Sequence, residues 1–264
     1  MFEAEPKSET SDQQSDAVLA IGWAQGFERP ARAYAHENKL PIIDEIAGRG
    51  GLCLYLDQSG WSLLECRRGK LDHKAAFQLQ LQSKYQAQGR DPLINAMGKA
   101  SRILDMTAGW AADALHIAAS GRRVVAVERD PRVYLLLAQA AAQGGNFAAP
   151  GSLEFLNLDS AAAEFPQQLK EKLPTGEAFE LVYLDPMFSG KDAKSAKTKK
   201  PMAIMQQLVP PPEAGNESAL FANAMQIAQK RVVVKRALKA PYIDDRVPQG
   251  SIKSKLLRFD LYKP

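Results

Sequence analysis

Arg102-Ile-Leu-Asp-Met-Thr-Ala-Gly-Trp-Ala-Ala-Asp113, followed after an Ala-rich run by Gly121-Arg-Arg-Val-Val-Ala-Val-Glu-Arg-Asp130, decides the fold of this chain. Ile103 to Met106 reads as a short strand that ends at Thr107-Ala108-Gly109. The run Ala-Leu-His-Ile-Ala-Ala behind it is built of helix formers and reads as a helix. A second apolar run, Val124 to Val127, ends in Glu128, nineteen residues beyond Gly109. Strand, turn, helix and strand with an acid at the second strand's end make one βαβ unit of a nucleotide-binding sheet. Gly109 lets a ligand approach the backbone, and Glu128 is placed to accept two ribose hydroxyls. A dinucleotide fingerprint needs three glycines and this turn has one, which disfavours a pyrophosphate cradle. A ligand with a ribose and no phosphates suits the turn better, and S-adenosylmethionine (SAM) is such a ligand. Many α/β sheets carry the same unit with nothing bound at that corner, so the turn alone leaves both readings open.

The chain has 264 residues, 45% hydrophobic and 24% charged, enough for one sizeable core and a small appendage. No apolar run approaches the roughly 18 residues that span a bilayer, and the first ten residues lack the basic and apolar parts of a signal peptide. A cytoplasmic protein is expected. Cys53 and Cys66 fall on what read as paired strands, and two buried thiols in a reducing compartment are favoured over a disulfide. His36, His73 and His116 are scattered and no Cys/His cluster has zinc spacing, so no metal site is expected. Net charge is only +4, but Lys191 to Lys200 carries five lysines against one aspartate. Lys191, Lys194, Lys197, Lys199 and Lys200 suit a phosphate backbone, with a solvated lysine loop as the alternative.

Residues 1–15 are polar and expected to be disordered. Residues 16–70 read as a small α/β domain: a strand from Val18 to Trp23, a helix from Pro30 to Asn38, and a hairpin of Gly51 to Leu56 and Trp61 to Cys66 around Asp57-Gln-Ser-Gly60. Residues 71–98 form a Gln-rich connection and a helix opened by Asp91-Pro92, with Gly89-Arg90 before it as a weak anion-binding signal. From residue 99 onward the text alternates strand and helix. Asp130-Pro131 opens a helix, Arg132 to Ala142, ended by Gly144-Gly145. A strand from Leu153 to Leu158 delivers Asp159-Ser160, which serve as a helix cap or as contacts to an adenine. Downstream lie a possible short helix over Met202 to Leu208, a helix from Glu213 to Gln229, a strand from Arg231 to Lys235, and one or two strands in Ser251 to Tyr262. The fold class is therefore α/β, with six or seven mostly parallel strands and the last antiparallel.

Phe179-Glu-Leu-Val-Tyr-Leu-Asp-Pro-Met-Phe188 is the second informative stretch. Leu181 to Leu184 is apolar on both faces, as a central parallel strand should be, and brings Asp185-Pro-Met-Phe188 to the edge where such sheets bind ligands. That tetrapeptide suggests methyl transfer to an exocyclic amine, whose lone pair is delocalised into its ring. An Asp185 oxygen and the Pro186 carbonyl each accept one N–H and aim the lone pair; Phe188 stacks on a base taken out of its helix. The plainer reading is an Asp-Pro turn with Phe188 in the core.

Asp105-Met-Thr-Ala-Gly109, Val127-Glu128-Arg129, Leu181-Val-Tyr-Leu-Asp-Pro-Met-Phe188, Arg231-Val-Val-Val-Lys-Arg236 and Arg258-Phe-Asp-Leu-Tyr262, in this order, resemble the bacterial ribosomal RNA small subunit methyltransferase J family. The resemblance covers residues 70 to 264, and it implies a Rossmann-like SAM-dependent methyltransferase that acts on guanine N2 in 16S rRNA. It implies SAM contacts at Ala112, Asp113, Glu128, Arg129, Asp159, Ser160 and Asp185, to which the strand end and turn add Asp105 and Gly109. Lys235 and Arg236, with the five loop lysines, are assigned to RNA phosphates. The partner implied is 16S rRNA or the small ribosomal subunit, with oligomeric state left open. Four departures stand out: the family's Ala-Gly-Leu-Gly-Arg-Asp is Ala108-Gly-Trp-Ala-Ala-Asp113 here, its two serines are Asp159-Ser160, its glycine-rich run before the catalytic domain is thinned to Gln88-Gly-Arg-Asp91, and the proline that commonly follows its aromatic residue is Ser189. An adenine-N6 or protein-amide methyltransferase, and a non-catalytic RNA-binding relative, remain the alternatives.

Overall fold

The computed structural model describes residues 18–46, 50–67, 70–82, 91–143, 151–173, 178–186, 204–205, 207–209 and 215–264. The chain divides into two compact units, Met1–Phe77 and Gln78–Pro264.

In the first unit, β1 (Val18–Trp23), α1 (Glu28–Glu37), β2 (Gly51–Asp57), β3 (Gly60–Arg67) and β4 (Lys70–Leu71) form a four-stranded sheet in the order β1-β2-β3-β4. β1 pairs parallel with β2, and β2 pairs antiparallel with β3 from Asp57 opposite Gly60. The hairpin turn is held by Asp57 Oδ1, which accepts from Ser59 N–H at 2.7 Å. Helix α1 begins two residues earlier than the sequence suggested, because Pro30 is tolerated within a first turn. It buries Ala31 and Ala35. Cys53 and Cys66 are free, buried thiols on β2 and β3, opposite Leu64 and Gly51 rather than each other. Burial pushes the Cys53 thiol up to about 12.

The second unit holds α2 (Pro92–Met97), β5 (Arg102–Asp105), α3 (Ala112–Ala119), β6 (Arg123–Glu128), α4 (Pro131–Ala142), β7 (Ser152–Asn157), α5 (Phe165–Lys172), β8 (Phe179–Leu184), α6 (Asn216–Ile227), β9 (Ala228–Ala237), β10 (Gly250–Lys253) and β11 (Leu257–Tyr262). Its sheet has seven strands in the order β10-β11-β9-β8-β5-β6-β7. Strands β9, β8, β5, β6 and β7 are mutually parallel, while β11 runs antiparallel to β9 and β10 antiparallel to β11. Both α2 and α4 open as their sequences indicate: Asp91 Oδ1 accepts from Ile94 N–H at 3.1 Å, and Asp130 Oδ1 from Arg132 N–H at 2.9 Å, each with proline next.

Alternation along the strands builds the core on both faces. Leu104, Val125, Val127, Val182, Leu184, Val232 and Val234 share one buried cluster with Phe165 and Leu169 of α5 and Phe221 and Ala224 of α6. Ile103, Leu181, Tyr183 and Val233, on the opposite pleat, are buried as well. Each such side chain taken fully from water contributes about 1.5–3 kcal/mol, which fixes the register of the central strands. β9 is longer than the Arg231–Lys235 expected, running over Ala228–Ala237, because it pairs with β8 on one side and β11 on the other. The chain leaves β5 first toward β6 and β7 and later returns to β8, on β5's other side. The carboxyl ends of β5 and β8 therefore flank the topological switch point, where open α/β sheets bind their ligands.

Candidate active site at the switch point

β5 ends in Asp105, 1% exposed, whose Oδ1 accepts from Thr107 N–H at 2.9 Å and from the Thr107 hydroxyl at 3.3 Å. Thr107 Oγ1 in turn accepts from Asp185 N–H at 2.6 Å, so one hydroxyl joins the ends of β5 and β8. Burial pushes the Asp105 carboxyl up to about 7; the Thr107 N–H opposes the rise, and Asp113 and Asp185 add to it.

The turn that follows takes the backbone into the left-handed region at Gly109 (φ 52°) and again at Ala111 (φ 57°), which caps α3. Gly109 adopts it freely, whereas an L residue in that region costs roughly 1–2 kcal/mol. Ala111 stands where the family pattern has its second glycine, so this chain carries a strained alanine at the turn. The Gly109 N–H donates to Glu128 Oε2 at 2.9 Å, and the Asp130 N–H donates to Glu128 Oε1 at 2.8 Å. Glu128 is thus held at the end of β6 facing the turn. Burial pushes its carboxyl up to about 7, against these two N–H donors and the charge of Arg129. Asn157 Nδ2 braces the neighbouring backbone through Glu128 O at 2.8 Å and Arg129 O at 3.2 Å.

Ala112 and Asp113 open α3, Ala112 exposed and Asp113 directed at the switch point. Asp113 Oδ2 accepts from the Tyr183 hydroxyl at 2.6 Å and from Lys235 Nζ at 2.7 Å. The same ammonium donates to Asp185 Oδ2 at 2.7 Å. Burial works against the Lys235 charge, yet Asp185 and Asp113 outweigh it and hold its pKa above the ordinary range. Burial raises the Asp185 carboxyl, Lys235 opposing it most. Burial, then Asp185 and Asp113, also keep the Tyr183 hydroxyl protonated.

The structure thus brings Asp105, Gly109, Asp113, Glu128 and Asp185 of the expected residues to the carboxyl edge of β5, β6 and β8, where Pro186, next to Asp185, is buried. Asp159 Oδ1 accepts from Ala161 N–H at 3.0 Å, and Ser160 Oγ donates to Met106 O at 2.7 Å. Both residues brace the turn beyond β7, and neither caps a helix: α5 begins at Phe165 behind Glu164. One expected phosphate contact is corrected, and a second has other partners. Arg236 is 1% exposed and paired with Glu217 Oε1 at 2.6 Å, since β9 is covered on both sides and its pleat turns this side chain inward. Lys235 meets the carboxylates of Asp113 and Asp185. Phe188, Lys191, Lys194, Lys197, Lys199, Lys200 and the Gly89-Arg90 pair lie outside the described residues.

Sequence reasoning missed Tyr183, Thr107 and the pairing of Lys235 with the two carboxylates. The signal for the lysine was in the strands themselves. β8 and β9 pair in parallel with Leu184 opposite Val234, which sets Asp185 beside Lys235.

The donor set tests which ligand fits. Asp113 and Asp185 meet one ammonium with Asp105 beside them, an acid-rich setting that disfavours phosphates and suits a ligand carrying an ammonium and a sulfonium. A carboxylate beside Gly109 supplies acceptors for ribose hydroxyls. Among the described residues no group of His, Cys, Asp and Glu could hold a metal ion, and no helix is long and apolar enough to cross a membrane.

Fold and donor set together define a SAM-dependent methyltransferase, and the family described as putative SAM-dependent methyltransferase matches residues 66–264. Within that class the chain belongs to the ribosomal RNA small subunit methyltransferase J family. A relative of that name from Cellvibrio japonicus is 32% identical over 89% of this chain and 93% of its own. Another, from Stutzerimonas stutzeri, is 33% identical over 94% of this chain and 92% of its own. The solved structure of a SAM-dependent methyltransferase from Neisseria gonorrhoeae has the same fold, with a TM-score of 0.64 at 24% identity, covering 93% of this chain and 96% of that one.

Proposed function

We propose that this protein transfers the methyl group of SAM to the exocyclic N2 amine of a guanosine in 16S rRNA, in the cytoplasm. The observation that carries the reading is Asp185, delivered by β8 to the switch point with one oxygen already taken by Lys235. Oδ2 binds the ammonium, so Oδ1 accepts one amine N–H and the Pro186 carbonyl accepts the other. The nitrogen is drawn toward tetrahedral geometry with its lone pair facing the methyl carbon. SAM supplies an electrophilic methyl on a sulfonium. With the amine held in this way, Asp185 would take the proton that the nitrogen sheds on methylation, while Lys235 stays on its other oxygen. Orientation of this kind is worth up to about 7–11 kcal/mol.

In the same reading Glu128 takes the ribose hydroxyls and Asp113 the methionine amino group, while Asp159 or Ser160 meets the adenine. Ala112 and Arg129 line the pocket, Asp105 holds the turn, and Phe188 stacks on the extruded base. Lys191, Lys194, Lys197, Lys199 and Lys200 hold RNA phosphates. The support is the family's name for its members and the acid-rich crevice. The test is nucleoside analysis of rRNA from cells lacking the gene, treated with enzyme and tritiated SAM. Label in N2-methylguanosine supports the reading; label only in DNA or protein shifts the substrate to another planar amine.

A further inference from the structure

We propose that Lys235 is a positioning residue for methyl transfer: bridging Asp113 Oδ2 and Asp185 Oδ2 at 2.7 Å each, it keeps Asp185 ionised, turns its other oxygen to the amine, and couples the cofactor side of the crevice to the base side. This deepens the reading of Asp185 given above and rests on it.

Three features of the site carry the inference. Lys235 reaches the site from β9, between the buried residues Val234 and Arg236, with its backbone paired to Phe259 of β11 one residue beyond the last β8 pair, Leu184 with Val234. Its side chain is only 20% exposed and lies between two carboxylates. Enclosed ion pairs of this kind add little to stability compared with apolar packing, so their gain is better sought in what they orient. The charges around Asp185 also require a cation there. Asp105 faces it from β5, Asp113 from α3 and Tyr183 from its own strand, while Lys235 and Arg236 approach from β9. Arg236 is already paired with Glu217. Without Lys235, burial and two neighbouring acids would drive Asp185 toward the neutral acid, which presents one acceptor fewer and an O–H that competes for the amine lone pair.

The experiment is a pair of titrations on the full chain. The Asp185 carboxyl carbon is followed by 13C NMR in the wild type, with Asp185→Asn giving the assignment, and in Lys235→Met and Lys235→Arg. The midpoint should rise in Lys235→Met by about 1–3 pH units, the size of effect an adjacent opposite charge exerts, and stay near wild type in Lys235→Arg. The acidic limb of kcat for rRNA methylation at saturating SAM should follow the same shift, with the Lys235→Met rate recovering at high pH. Should Lys235→Met fail to fold, Asp113→Asn at saturating SAM provides the second arm: it removes a like charge and a competitor, so the limb should move to lower pH. A midpoint that does not move in Lys235→Met, or a rate reduced equally at every pH, overturns the proposal. So does a loss confined to the KM for RNA with a flatter salt dependence, which would make Lys235 a phosphate contact. The NMR arm needs no RNA, so absence of rRNA methylation in the wild type would count against the substrate assignment and leave the role of Lys235 to be judged on the titration.

Discussion

Asp185 and Lys235 can be separated by what their loss does. Asp185→Asn keeps the volume and removes the charge and one acceptor, so kcat should fall about 10²–10⁴-fold, while calorimetry finds SAM binding changed far less. Glu128 offers a second test at single-residue resolution. Its folded pKa, about 7, lies above the unfolded carboxylate value, so the native state holds the extra proton. That contribution to stability is full below the unfolded pKa and is lost as pH rises toward 7, at up to about 1.4 kcal/mol per pH unit. Denaturant unfolding should therefore show wild type losing ground to Glu128→Gln as pH rises through this window; a constant difference contradicts the assignment. Ala111 gives a third. Relief of left-handed strain, roughly 1–2 kcal/mol, offsets the lost methyl burial of about 0.8 kcal/mol, so Ala111→Gly should be neutral or stabilising. Ala114→Gly, inside α3, should cost about 1 kcal/mol. These residues differ in how legible they were. Glu128, Asp113 and Asp185 stand at strand ends or a helix start in the linear text. The left-handed conformation of Ala111 shows in the text only through the glycine that the family has there, because alanine, a poor helix cap, carries no such signal itself.

The elements were read closely where local chemistry decides them and loosely where pairing does. Asp91-Pro92 and Asp130-Pro131 mark their helix starts through side-chain caps, and both were legible. The length of β9 was not, because its ends are set by partners β8 and β11 that lie far away in sequence. The same blindness turned the buried Arg236 into a phosphate ligand and hid the carboxylates that Lys235 meets: the sequence shows their charge but not which way a two-sided strand faces them. The opposite edge of the sheet shows what pairing adds. Glu180 on β8 accepts from Ser101 N–H at 2.6 Å and from Lys230 Nζ at 2.5 Å, joining the starts of β5, β8 and β9. The Lys230 and Ser101 hydrogen bonds hold its carboxyl down to about 2. A depressed carboxyl stabilises above its unfolded pKa, so the advantage of wild type over Glu180→Gln should be full at neutral pH and shrink as pH falls below 4.5 toward 2. Unfolding curves at stepped pH will show this, and an advantage that grows in acid would refute the brace.

At the scale of the whole molecule, the parallel order β9-β8-β5-β6-β7 with the antiparallel β10-β11 pair brings four acids from β5, β6, β8 and α3 to one edge, and the chemistry follows from that convergence. The lysine-rich segment from Lys191 to Lys200 enters the chain directly after that edge, so RNA binding should be its task. Replacing one of these lysines by glutamine should weaken rRNA binding across sequences and reduce the slope of log K against log salt by about one; an unchanged slope removes that lysine from the interface. The most direct test of the molecule's activity gives purified enzyme, wild type or Asp185→Ala, tritiated SAM and either free rRNA or small subunits from cells lacking the gene. Label recovered as N2-methylguanosine with the wild type and lost with the variant, while both still bind SAM, is the expected result. SAM binding without any labelled RNA contradicts the substrate, and label undiminished by Asp185→Ala contradicts the site.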